Sequence, residues 1–154
     1  MGTRNTNNTD KDPDATPRSV NVQVSDGTDS SLVNPSTITV VPVNDAPVTD
    51  LNGATAGDDA TATFTEDGGA ILIASAGTIT DVDDTNIESL TVTLTNHPDG
   101  AAESLSLNAT AAALATADGL TVSAYNSTTG VLTITGSASK ADYQTILQGL
   151  QYNN

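Results

Sequence analysis

Acidic side chains at short, repeated spacings are the chemistry-bearing feature of this chain. Asp10, Asp12 and Asp14 stand at alternate positions, and Asp26 opens a turn at Asp26-Gly27. Asn44 and Asp45 end a β-type run, Glu66 and Asp67 precede two glycines, and Asp81, Asp83 and Asp84 crowd one loop. Carboxylate and amide oxygens are hard donors, the kind of which Ca²⁺ takes about six to eight. Bringing such groups together without a cation is costly, because like charges in one site oppose ionisation. The plainer reading of the same residues is that they are solvated turn formers.

Other chemistries lack parts. His97 is the only histidine and stands beside Pro98-Asp99-Gly100 in a turn, with no companion base or nucleophile, so it reads as a loop residue. The many serines and threonines have no histidine partner. A glycosidase carboxylate pair needs an enclosing, usually aromatic-lined cleft, and one Phe, three Tyr and no Trp do not build one. No enzyme is indicated. Thr91, Thr93 and Thr95 present a Thr face of a kind that could meet sugar or ice, but Thr is also a good strand former on a solvated face.

Bulk properties point the same way. The 154 residues carry 19 acidic and four basic side chains, a formal charge of −15. That balance argues against nucleic acid and anionic membranes, whose phosphates are neutralised by Lys and Arg. A chain this acidic either stays partly disordered or recruits cations, and its regular patterning favours the second. There is no cysteine, so neither disulfides nor thiolate metal sites are available, and oxygen-ligated calcium could serve as the staple. No apolar run is long enough to cross a bilayer, so membrane insertion is not expected.

The acidic groups are positioned by short strands. Residues 18–25 alternate, with Val20, Val22 and Val24 on one face, and residues 37–43 form a second strand that Pro42 marks as an edge or an end. The hinge Asn44 to Pro47 follows, and residues 48–59 read as connector. Residues 61–65, 71–73, 90–95, 104–107, 120–125 and 131–135 read as further strands, and the Ala-rich residues 110–117 as a short helix. Ser139-Lys140-Ala141-Asp142 reads as an N-cap with an acidic third residue, opening a helix whose Tyr143, Ile146, Leu147 and Leu150 share one face and which Gly149 closes. The expectation is an all-β sandwich with one or two short helices. Three parts are expected: residues 1–43 as the closing hairpin of a preceding module, 44–59 as a calcium-binding linker, and 60–154 as the first part of the following module.

These words, in this order, resemble cadherin-like, immunoglobulin-like repeats of very large bacterial RTX-type surface adhesins. The matching stretches are Val24-Ser25-Asp26-Gly27, Val43-Asn44-Asp45-Ala46-Pro47, Phe64-Thr65-Glu66-Asp67-Gly68, Thr80-Asp81-Val82-Asp83, and the run from Thr129 to Gly136. Ala141-Asp142-Tyr143-Gln144 and Gln151-Tyr152-Asn153-Asn154 complete them. The chain departs from true cadherins in lacking the second Asn and first Asp of the D-x-N-D-N-x-P linker and the Leu-Asp-Arg-Glu word. It carries no Gly-Gly-x-Gly-x-Asp nonapeptide either.

The resemblance implies an Ig-like, cadherin-like sandwich, cut mid-repeat from a tandem array so that one domain is split. It implies a secreted, bacterial cell-surface location and a structural role, an extender rigidified by Ca²⁺ at its linkers; the alternative is a module that itself binds a carbohydrate or protein. In that topology Asp81, Asp83 and Asp84 face the linker residues Asn44 and Asp45, and Asp10, Asp12 and Asp14 approach it from the preceding module. Glu66 serves the next linker and Asp26 the upper site of its own sandwich. Partners would be neighbouring repeats of the same chain, with intermolecular strand exchange as a further route to completing the sandwich.

Overall fold

The computed structural model describes residues 12–154 and divides them into two units, one ending at Asp45 and one running from Ala46 to Asn154. In the first, the Val-alternating stretch forms β1 (Arg18–Val22), paired antiparallel with β2 (Asn34–Ile38) so that Arg18 faces Ile38 and Val22 faces Asn34. The second strand lies earlier than its predicted span of 37–43. Pro35 is tolerated there because β2 is an edge strand. Every residue of both strands is exposed, so this ribbon has no core of its own.

The second unit begins with a strand inside the stretch expected to be connector. Here β3 (Val48–Asp50) pairs antiparallel with β5 (Thr78–Thr80). Asp50 then turns the chain, its Oδ1 accepting the Asn52 and Gly53 amides at 2.9 Å each, and Gly53 takes the positive φ of 66° that the turn requires. Residues 61–65 form no strand. They are held by Phe64, whose ring meets Tyr152 edge-to-face at 5.4 Å.

Two three-stranded antiparallel sheets make up most of the rest. One has the order β4 (Ile71–Leu72), β10 (Leu150–Asn153), β7 (Ser104–Leu107). The other has the order β6 (Asn86–Thr93), β9 (Val131–Ser139), β8 (Thr121–Val122). The β6–β9 ladder shifts register between Ile87 and Ser89, a bulge beside Gly136, whose φ is 123°. Both sheets feed one core, in which Ile134 from β9 and Leu150 from β10 meet Tyr143 and Ile146. This layering of antiparallel sheets with two short helices is consistent with a β-sandwich.

Both helices stand where patterning put them, α1 at Ala109–Ala117 and α2 at Lys140–Gln148. Asn108 caps α1 by accepting the Ala111 amide at 2.8 Å, and Ser139 caps α2 by accepting the Asp142 amide at 3.1 Å. Gly149 ends α2, though its φ of −91° is one any residue adopts. Glycine is needed there for a different reason: a Cβ would lie 2.4 Å from the Ala111 Cβ and 2.9 Å from Asn108 Oδ1. The close approach of α1 to the end of α2 therefore depends on two residues with almost no side chain.

One face of α2 presents polar side chains at intervals of four residues to the backbone of β5 and its flanks. Lys140 Nζ donates to the Asp81 carbonyl at 2.6 Å, Gln144 Oε1 accepts the Ile79 amide at 3.2 Å, and Gln148 Nε2 donates to the Gly77 carbonyl at 2.8 Å. Residues 77, 79 and 81 turn their backbone groups to the same side of the strand, since successive residues alternate. The helix thus serves as the second neighbour of β5, with β3 on the other side.

Candidate functional site

The strongest concentration of oxygen donors is the loop after β5. Asp81 initiates an Asx turn there: its Oδ1 accepts the Asp83 amide at 2.9 Å and the Asp84 amide at 2.8 Å. The Asp84 amide is the largest cause holding the Asp81 carboxyl below its ordinary pKa, with the Asp83 amide and the positive charge of Lys140 acting the same way and desolvation opposing them. Three carboxylate-bearing residues therefore occupy four successive positions, with the first locked as the turn's acceptor. Asp81 and Asp83 are half-buried and Asp84 is exposed.

A second acidic region lies at the turn after β6. Glu103 is buried, at 4% exposure, and both its oxygens are used: Oε1 accepts the Tyr152 hydroxyl at 2.9 Å and Oε2 accepts the Asp99 amide at 3.1 Å. Asp99 Oδ2 accepts the Asn154 amide group at 2.8 Å. Glu66, Asp99 and Asn154 line an open cavity of about 470 Å³ with Phe64. Desolvation, and then the Glu103 carboxylate, raise the Tyr152 pKa and keep its phenol protonated as a donor.

In the first unit, Asp26 Oδ1 accepts the Thr28 and Asp29 amides at 2.9 Å each, and these bonds, Asp29's foremost, hold its pKa down. Asp14 Oδ1 accepts the Thr16 amide at 2.6 Å, and its pKa is lowered chiefly by Thr16. Asp12 is exposed, and Asp10 lies outside the described residues. In the hinge, Asn44 Nδ2 donates to the Asp45 carbonyl at 2.8 Å. Glu66 is exposed.

Of the residues singled out in the sequence, Asp14, Asp26 and Asp81 each accept backbone amides of their own local turn. Among the described residues, no three His, Cys, Asp or Glu side chains stand together so as to hold a metal ion. The Asp81 turn carries hard oxygen groups, the donor type that Ca²⁺ takes. His97 makes a structural contact, with Nδ1 3.0 Å from the Leu94 carbonyl in the turn that Gly130 joins. Sequence reasoning missed Lys140 and Glu103. Lys140 reaches a carbonyl 59 residues away, and a single glutamate among small residues gives no sign that it will be buried.

No family model matches the chain, and no solved structure matches it. Among curated proteins it is similar to Halomucin of Haloquadratum walsbyi, 35% identical over 89 residues. Those residues are 58% of this chain and 1% of that protein, so the chain spans a very small part of the relative it matches. Among the described residues, no helix is long and apolar enough to cross a membrane.

Proposed function

We propose that this chain is a spacer module of a very long extracellular surface protein, acting structurally and holding other parts of that protein away from the cell. The observation that carries this reading is the similarity to Halomucin, in which the matched stretch is 1% of the whole: a small folded unit within an exceptionally long chain. The relative's name is that of a mucin, and a strongly acidic, cysteine-free β module suits an extended, hydrated chain. The immunoglobulin-like, cadherin-like form of the sandwich and the adhesin context belong to the same proposal and rest on the sequence words.

Calcium belongs to it as well. The Asp81–Asp84 turn and the hinge residues Asn44 and Asp45 offer hard oxygen donors, and the remaining ligands would come from outside each turn. Bound calcium would quench part of the charge of −15 and stiffen the loops it joins.

The test is a melt of the 154-residue chain in calcium and in chelator, with titration calorimetry on the same samples. Ligand held only by the folded state adds RT ln(1 + [L]/Kd), roughly 2.7 kcal/mol per site at a hundredfold excess over Kd. The midpoint should fall in chelator, Asp83→Ala should weaken binding, and His97→Ala should leave it unchanged. Identical melts with and without calcium would remove calcium from the proposal. A specific signal on a glycan array would replace the spacer reading with that of a binding module.

A further inference from the structure

The β6–β9–β8 sheet ends at β6, which among the described residues has a strand partner on one side only. Its inward residues Leu90 and Val92, with Leu94 beyond its end, are only half-buried although they pack against the core. Two apolar cavities lie along them. One of about 330 Å³ is lined by Phe64, Ile71, Val92, Leu94 and Tyr152, and the other of about 290 Å³ by Leu51, Ile73, Leu90 and Leu147. An edge that offers unpaired backbone groups beside an unfilled apolar trough is a site for strand addition.

The chain also carries a segment of the matching kind. On one face of the β1–β2 ribbon the register groups Val20, Val22 and Ile38, which are 46%, 52% and 49% exposed, with Arg18, Asn34 and Ser36. The opposite face carries Ser19, Asn21, Pro35 and Thr37 and no large apolar residue. A two-stranded ribbon is marginal in water by itself. Of its two outer edges, that of β2 contains Pro35, which has no N–H to donate, so β1 is the edge fit to pair. The charges agree too. β1 carries only Arg18 and β6 only Glu88, so no like-charge pair opposes their union.

We propose that the free edge of β6 accepts the outer edge of β1 from a second copy of this chain. The added ribbon continues the sheet with Val20 and Val22 on the same face as Leu90 and Val92, where they cover the trough, and with Asn21 on the same outward face as Thr91 and Thr93. Reciprocal exchange closes a dimer, and unreciprocated exchange gives open chains of molecules. At a charge of −15 per copy, added salt strengthens the association by screening repulsion.

Light scattering on the full chain across a concentration series, at low and higher salt, reads the outcome. A mass that rises with concentration, and rises further with salt, is expected. Val20→Asp with Val22→Asp should return it to the monomer while the melting of the second unit stays unchanged. A monomer at every concentration overturns the proposal, whether the ribbon stays free or occupies its own edge; so does an oligomer that survives the double substitution. Because the chain has no cysteine, a second readout is clean. Asn21→Cys chains mixed with Thr91→Cys or Thr93→Cys chains should form a hybrid disulfide on mild oxidation in at least one mixture, cross-strand Cβ atoms being about 5 Å apart. No hybrid in either mixture overturns the strand-addition geometry.

Discussion

The ammonium of Lys140 lies 2.6 Å from the carbonyl oxygen of Asp81, joining the first turn of α2 to the start of the acidic loop. That contact makes the loop's shape depend on the helix. The same cation also favours the ionised Asp81 carboxyl, so one side chain holds the loop's backbone and supports its charge.

Lys140→Met keeps most of the apolar stem and removes the donor. A hydrogen bond from a charged group is worth about 1.5–3 kcal/mol when well shielded, and this one is half-exposed, so a loss of about 1–2 kcal/mol is expected in urea unfolding. Amide exchange at Asp83 and Asp84 should quicken in parallel. Unchanged exchange there would show that the Asx turn stands without the lysine.

Gly149→Ala places a methyl 2.4 Å from the Ala111 Cβ, and overpacking of this kind costs about 1–3 kcal/mol. Ala111→Gly removes the obstructing atom at a helix-propensity cost of about 1 kcal/mol. The double variant should therefore be more stable than the sum of the two single changes implies. Strict additivity in the denaturation cycle would mean that α1 and α2 separate without cost.

Asp81→Asn retains an Oδ1 for the two amides but removes the charge. The Asp81 pKa in the fold lies below its ordinary 3.8, so its contribution to stability is present above that value and is lost as pH falls through the lower folded one. The melting advantage of the parent chain over Asp81→Asn should be steady near neutrality and shrink progressively as pH falls below about 4. An advantage that persists in acid would assign the effect to shape instead of charge.

The elements that were legible from the sequence are those whose evidence is local. Ser139 and Asp142 three residues apart announced the start of α2, and the spacing of Tyr143, Ile146 and Leu147 announced its buried face. Leu90 and Val92, alternating with threonines, announced β6. What escaped depended on partners distant in sequence. Val48–Asp50 is a strand because β5 accepts it, and its own composition reads as connector. Phe64 sits in a β-like stretch but is held by a ring 88 residues later instead of a ladder. At the acidic sites, the residues themselves were readable from their spacing. The Asx turns at Asp14, Asp26 and Asp81 follow from which backbone amides each oxygen meets, and composition does not encode that.

The polar stripe of α2 against β5 works as a vernier. Four residues of helix rise about 6.0 Å, whereas two residues of strand span about 6.6 Å, so each successive rung slips by roughly 0.6 Å. Lys140, Gln144 and Gln148 make three rungs, and the accumulated offset stays within what flexible side chains absorb. A further turn of helix would present its next side chain nearly 2 Å out of step by the same arithmetic. A helix can therefore stand in for a strand only over a short span, and β5, at three residues, is about the length such a substitute can shield.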